Sequence, residues 1–497
     1  MAERQNSPLH GALSGAAGSG RFLAVVCGVA ALGGVLFGFD TAVISGALGM
    51  LKKQFDLSEL MEGVTVTSVL IGCLIGVAIS GAVSDYFGRR AALLLSAVLF
   101  TLSAVAAAWV PATADWHTGP MIQWLAWLFG EEVSPQIAGL INARLLGGTG
   151  VGIASMLAPL YIAEISPPQL RGRLIALYQF AITIGILVTY FTNALLVWLA
   201  GLGQQCGEGT VRTLFVDEVW RGMFLLGAIP AALFLVLLFF VPESPRWLTK
   251  QGRPQQAESI LARVAGPVQA AKEMGEIRQT IAQESGSFWQ LLRPGMRLRL
   301  LIGVVLPFCS QIVGINAIIY YGPRIFEAAG YGRHDALGTQ VLFGLVNTVF
   351  TLVAIWKVDQ LGRRPLLLTG IAGTSISIAL CGLLFHFGME NSPLLIVLCA
   401  VYLAFFAVSY GPVCWIIVSE LFPTRIRGRA MSVAIFALWT GCILVSLTFP
   451  YLLKHMPPAV PFWLYAASGP VAFLFTWFLV PETKGKSLEQ IETHFFH

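Results

Sequence analysis

Along the chain, apolar runs of about 20 residues alternate with short polar stretches, and the alternation recurs about twelve times. A run of that length covers the hydrocarbon core of a bilayer as an α-helix, since each residue rises about 1.5 Å. The pattern predicts spans near 22–48, 63–83, 91–110, 136–162, 174–199, 222–241, 300–321, 338–356, 366–387, 394–418, 430–451 and 461–480. The stretch MIQWLAWLFG (121–130) is too short to cross and is expected at the outer interface, where tryptophan is favoured. One long polar segment, Pro242 to Arg299, separates the sixth run from the seventh. Within it, the spacing of Ile260, Leu261 and Val264, and of Ile277 and Ile281, predicts short amphipathic helices lying on the membrane's inner face.

The two flanking halves echo each other. DYFGRR (Asp85–Arg90) returns as DQLGRR (Asp359–Arg364), EISPPQLRGR (Glu164–Arg173) as ELFPTRIRGR (Glu420–Arg429), and FVPES (Phe240–Ser244) as LVPET (Leu479–Thr483). Three echoes in one order, each offset by roughly 240 to 275 residues, argue for a duplicated six-span unit. The expected fold class is thus an all-α membrane protein with twelve transmembrane helices in two pseudo-symmetric six-helix bundles. A parallel duplication of six spans is the organisation of the major facilitator fold. The expected division is a disordered tail over 1–20, a bundle over 21–242, a helical linker over 243–299, a second bundle over 300–481 and a tail over 482–497.

Composition agrees: 56% of the 497 residues are hydrophobic and 11% charged, against about 25% charged in soluble domains. The net charge of +5 is placed where it sets topology. Arg89 and Arg90, Arg171 and Arg173, Lys357 with Arg363 and Arg364, and Arg425, Arg427 and Arg429 fall in alternate short loops, which are therefore expected to be cytoplasmic, as are both termini. The loop from Pro111 to Pro135 carries Asp115, Glu131 and Glu132 and no Lys or Arg. That distribution is not a nucleic-acid footprint. Seven of the eight cysteines sit in apolar runs as small packing residues, and Cys206, in a polar loop, is expected to be a free thiol. No spacing indicates a disulfide framework or a metal site, and no cofactor is expected. No HExxH pair, nucleophile elbow or P-loop occurs, so an enzyme is disfavoured.

VLFGFDTAVISG (Val35–Gly46) places Asp40 deep in the first apolar run. A carboxylate at that depth costs roughly 2.5–3.5 kcal/mol on insertion scales and is usually kept for a task. Its candidate partner is Arg144 in the fourth run, followed by Gly147, Gly148 and Gly150, which permit close helix approach. The pair is either a permanent buried ion pair or a proton switch, because desolvation and the arginine act on the carboxyl in opposite senses. Further along, Gln179, Gln311, Asn316 and Asn347 lie inside apolar spans, with Tyr320, Tyr321, Trp415 and Trp439. A single intramembrane amide is as readily helix-to-helix glue. Four amides with aromatic rings match the vicinal hydroxyls and apolar face of a pyranose better than an ion or a lipid. Asp85, Arg89, Glu164, Arg171, Glu243, Asp359, Arg363, Glu420 and Arg427 place acid and base at matched helix ends in both halves, a ring that would close the inner face when paired.

Taken together, PLYIAEISPPQLRGRL, VPESPRWL, QIVGINAIIYYGP, DQLGRRPLL, GPVCWIIVSELFPTRIRGRA and VPETKGKSLEQIE resemble the sugar porter family of the major facilitator superfamily, from about Arg21 to Glu492. Within it the chain resembles the bacterial xylose-proton symporters, whose first-span motif is similar to GFDTAVISG. The resemblance implies proton coupling by Asp40 with Arg144. It also implies sugar contacts from Phe37, Gln179, Gln311, Asn316, Tyr320, Asn347, Gly411, Trp415 and Trp439, and an inner charge network from the nine residues above. It departs at Ile186, Ser310 and Leu438, where the xylose symporters carry amides, so their sugar preference does not carry over. The implied function is proton-coupled monosaccharide symport, of glucose or xylose for example, across a bacterial inner membrane by a monomer. The alternatives are an uncoupled hexose or inositol carrier and a membrane sugar sensor, the latter disfavoured by the short stretch after VPET.

Overall fold

The structure, a computed structural model, describes residues 19–110, 134–168, 170–203, 209–283, 288–293, 295–422 and 426–484. Within these lie twelve helices long and apolar enough to cross a membrane: Gly20–Phe55, Glu59–Phe87, Arg89–Ala108, Pro135–Ile165, Arg171–Leu202, Val219–Leu238, Arg297–Ala328, Arg333–Val358, Arg363–His386, Pro393–Leu421, Gly428–His455 and Ala459–Leu479. All twelve expected spans are present. Several helices run past the apolar stretch that announces them, the first to Phe55 and the seventh to Ala328. Their polar outer turns keep their backbone bonds while projecting beyond the apolar core. Serines begin four of these helices by accepting a backbone N–H: Ser19 from Phe22, Ser58 from Met61, Ser134 from Ile137 and Ser392 from Leu394. MIQWLAWLFG, Cys206 and nearly all of both expected tails lie outside the described residues.

The duplication is visible in the packing. Spans 1 and 5 pack together, as do 7 and 11; 2 with 4 matches 8 with 10, and 3 with 6 matches 9 with 12. The halves meet through 2 against 11 and 5 against 8, which exchange under the same correspondence. This is the major facilitator fold. Close approach within the first half depends on glycine: a Cβ on Gly148 would strike the Val69 carbonyl oxygen, and one on Gly72 that of Leu145.

Two spans of the second half are broken. Span 7 divides into Arg297–Ile312 and Ile315–Ala328, and span 10 into Pro393–Val408 and Tyr410–Leu421. Gly314 (φ +93°) makes the first break, in a left-handed conformation where a Cβ would also strike the Tyr465 ring. The hydroxyl of Tyr402 donates to the Val313 carbonyl at 3.1 Å, satisfying an acceptor the break frees.

Linker helices form over Pro254–Ala265 and Pro267–Gln283 as their apolar spacing predicts, preceded by a short one over Pro245–Lys250. Their stripes do not wait for lipid: Leu248, Ala257, Leu261, Ala270 and Met274 make a small core of their own. The unit is held to the first half by Trp247, whose indole donates to the Asp85 carbonyl at 3.0 Å, and by Arg263, 4.1 Å over the Phe22 ring.

Candidate functional site

Asp40 and Arg144 come together inside the first half. Oδ2 of Asp40 would be 3.3 Å from a Cβ on Gly147, one turn along span 4 from Arg144, and the Ser103 hydroxyl lines the same spot. The two groups interact electrostatically, yet no ion pair joins them within 4.0 Å. Arg144 is 1% exposed, and none of its three guanidinium nitrogens has a hydrogen-bond partner; Oδ2 of Asp40 is likewise orphaned. The guanidinium lies 5.5 Å from the centroid of the Phe224 ring. Unsatisfied buried groups are rare in native proteins and call for an explanation. The permanent buried ion pair is therefore not the arrangement seen here.

The amides and aromatic rings gather where the halves face each other. The break in span 7 sets Gln311 on the last turn before Gly314 and Asn316 on the first turn after it, and Asn316 donates to Gln311 Oε1 at 2.5 Å. Gln311 in turn donates to Ser310 Oγ at 3.0 Å, so the serine at a departing position serves as an acceptor. One turn beyond Asn316, Tyr320 meets Cys442 Sγ at 3.6 Å. Gln179 of span 5 reaches across to Gly411 of broken span 10, 3.8 Å from where a Cβ would stand. Phe37 of span 1 and Trp439 of span 11 bring their rings to 5.4 Å, also across the halves. Trp439 is 2% exposed and its Nε1 donor has no partner. Asn347 is buried on span 8, where the neighbouring Thr348 donates to the Thr183 carbonyl of span 5 at 3.2 Å; Trp415 is half-buried on span 10. Ile186 packs with Ala42 and Tyr190.

The charged helix ends form two matching knots. Arg89 donates to Glu164 through Nε (3.0 Å) and Nη2 (3.2 Å), and through Nη1 to Asp85 (3.2 Å) and the Ser84 carbonyl. Glu243 accepts the backbone N–H groups of Arg89 and Arg90, capping span 3. Burial pushes its carboxyl above the ordinary glutamate value, an effect the N–H donors of Ser244, Arg90 and Arg89 offset in part. In the second half Arg363 donates to Glu420 at 3.2 Å, and Glu482 accepts the backbone N–H groups of Arg363 and Arg364. Glu482 was not among the candidates from sequence, although the echo of FVPES in LVPET marks it as the counterpart of Glu243. Arg171 donates to the Ser166 carbonyl at 3.4 Å. The side chains of Asp359 and Arg427 lie outside the described residues. The pairs Arg89–Glu164 and Arg363–Glu420 each stay within one half, so in this conformation they brace each bundle and do not tie the halves together.

The sequence profile of the Sugar (and other) transporter family matches residues 26–495. The chain is similar to the arabinose-proton symporter of Bacillus subtilis, with 39% identity over 95% of this chain and 94% of that protein. It is similar to the D-xylose-proton symporter of Escherichia coli K12, with 40% identity over 93% and 94%. Among solved structures, the proton:xylose symporter XylE bound to 6-bromo-6-deoxy-D-glucose superposes with a TM-score of 0.78 at 38% identity, covering 96% of this chain and 99% of that one. With the fold, the paired broken helices and a match over almost its whole length, the chain belongs to the Sugar (and other) transporter family.

Proposed function

We propose that this protein is a proton-coupled monosaccharide symporter that imports sugar across a bacterial inner membrane by alternating access, with the sugar site between the halves and the proton site on Asp40. The observation that carries the reading is the set of orphaned polar groups. In the first half the buried Arg144 guanidinium and the buried Oδ2 of the half-buried Asp40 have no hydrogen-bond partners, and a buried tryptophan donor without one lies in the cross-half cluster. A sugar hydroxyl would satisfy Trp439 Nε1, while Gln179, Gln311, Asn316, Tyr320 and Asn347 offer further donors and acceptors, and Phe37 and Trp415 supply apolar faces. Ionised, Asp40 would draw Arg144 toward it; protonated, it would release the arginine and alter the fit of spans 1 and 4. The sugar-proton symporters similar to this chain support the same reading.

The termini and the GRR and RGR loops are assigned to the cytoplasmic side, with the division into two bundles and a linker as expected from the sequence, and the working unit is a monomer. A membrane potential of about 100 mV with one pH unit supplies ~3.7 kcal/mol per proton, about 500-fold accumulation. The test is uptake of labelled glucose, xylose, arabinose, galactose and inositol into proteoliposomes, with and without an imposed pH gradient. Accumulation of one sugar driven by the gradient is expected. Equilibration without accumulation would establish the second reading, an uncoupled carrier, which Ile186 favours because animal glucose facilitators also carry isoleucine at that position. The two differ at Asp40, since an uncoupled carrier has no use for a titratable group there.

A further inference from the structure

At the end of the molecule opposite the GRR knots lies a second charge cluster. Lys52 closes the first span and binds Glu62 at 2.7 Å and Glu59 at 3.6 Å, both on the first turn of the second span. From the other half, Lys454 on the last turn of span 11 reaches Glu59 at 2.7 Å, and Arg324 of the seventh span's second segment stands 3.6 Å from Glu62. These two ion pairs cross between the halves. Glu62 is only 2% exposed and is shared by two cations. The halves are also in backbone-close contact nearby, since a Cβ on Gly63 would lie 2.8 Å from the Leu447 carbonyl oxygen of span 11.

We propose that Lys52, Glu59, Glu62, Arg324 and Lys454 form an outer latch that holds this entrance shut and has to part before sugar can enter from outside. The proposal rests on the transporter reading. Two features support a gate over a permanent staple. The charges join elements of different halves, the only relation that alternating access must break. Arg324 also sits at successive four-residue steps from Tyr320 and Asn316 on one half-helix, so the same helical face carries candidate sugar contacts and a latch residue. Neutralising the buried Glu62 leaves Lys52 and Arg324 without their shared partner, which biases the balance toward the state in which those charges reach water; the Lys454–Glu59 pair, with Lys454 61% exposed, contributes less.

Hydrogen–deuterium exchange on the full-length protein in nanodiscs tests this, with Glu59→Gln, Lys454→Gln, their double variant, and Glu62→Gln. Each single variant is expected to raise exchange at the outer ends of spans 2 and 11 and lower it at their inner ends, a shift of the open-to-closed ratio by about tenfold for Glu62→Gln. The Glu59–Lys454 double variant should shift no further than Glu59→Gln alone, because that variant already removes the Lys454 pair together with the Lys52 contact. Wild-type exchange at both ends in all variants would overturn the latch, as would increased exchange at both ends alike, which signals a general loosening. The measurement needs neither sugar nor proton gradient, so a failure of the uptake assay bears on the symporter reading and leaves this result standing on its own.

Discussion

Among single residues, the groups proposed to carry function are those whose bonding is unfinished. Arg144 is the clearest, buried with three nitrogens and no acceptor. Its neighbour Asp40 is separated from it in sequence by more than a hundred residues, yet both border the Gly147 turn. Asp40→Asn is expected to abolish gradient-driven accumulation while leaving sugar counterflow measurable; loss of both would make Asp40 structural. Trp439 presents a sharper case, because its ring and its donor can be separated. Trp439→Phe keeps an aromatic face toward Phe37 and removes the orphaned N–H, so sugar affinity should fall about tenfold, the value of one hydrogen bond of 0.5–1.5 kcal/mol at the upper end. Equal affinity in a tryptophan-independent binding assay would take Trp439 Nε1 out of the site.

Elements carry the next layer of cause. The break in the seventh span brings Gln311 and Asn316 together across Gly314. Gly314→Ala would force an L residue to φ +93° and drive a methyl into the Tyr465 ring. The expected cost is about 1–3 kcal/mol in stability, with weakened sugar binding because the two amides lose their register; unchanged melting and affinity would refute this role for Gly314. The helix caps are equally specific. Glu243→Ala orphans the first N–H groups of span 3 and should cost about 0.5–2 kcal/mol, visible in thermal unfolding; Glu482→Ala should do the same for span 9. Glu243 also confers a pH dependence. Its folded-state carboxyl is pushed up by burial, so the native state holds its proton more tightly than the unfolded chain does. Its stabilising contribution is present below the ordinary value of 4.5 and lost as pH rises through the raised one. Glu243→Gln should remove that slope from melting curves taken across the acid range.

Across the whole molecule the two ends differ in how the described charges pair. The Arg89–Glu164 and Arg363–Glu420 pairs stay within each half, whereas at the opposite end Arg324–Glu62 and Lys454–Glu59 join the halves. The chain announced much of this. Twelve spans, their order and the duplication could be read directly, because apolar run length and repeated motifs are local properties that a bilayer enforces on any helix. Asp40, Arg144 and the intramembrane amides stood out for the same reason, as polar groups are conspicuous in an apolar run. Lys52, Glu59, Glu62, Arg324 and Lys454 did not, since each sits near a span end where a charge is ordinary. Their meaning depends on which ends meet. Membrane class, two-fold repeat and the costly interior groups are legible in local pattern alone. Packing sets which described groups find partners, that Asp40 and Arg144 stand near each other without bonding, and that Arg324 and Lys454 of one half meet Glu62 and Glu59 of the other. Those outcomes depend on contacts between residues hundreds of positions apart, which helix packing sets and no local pattern encodes.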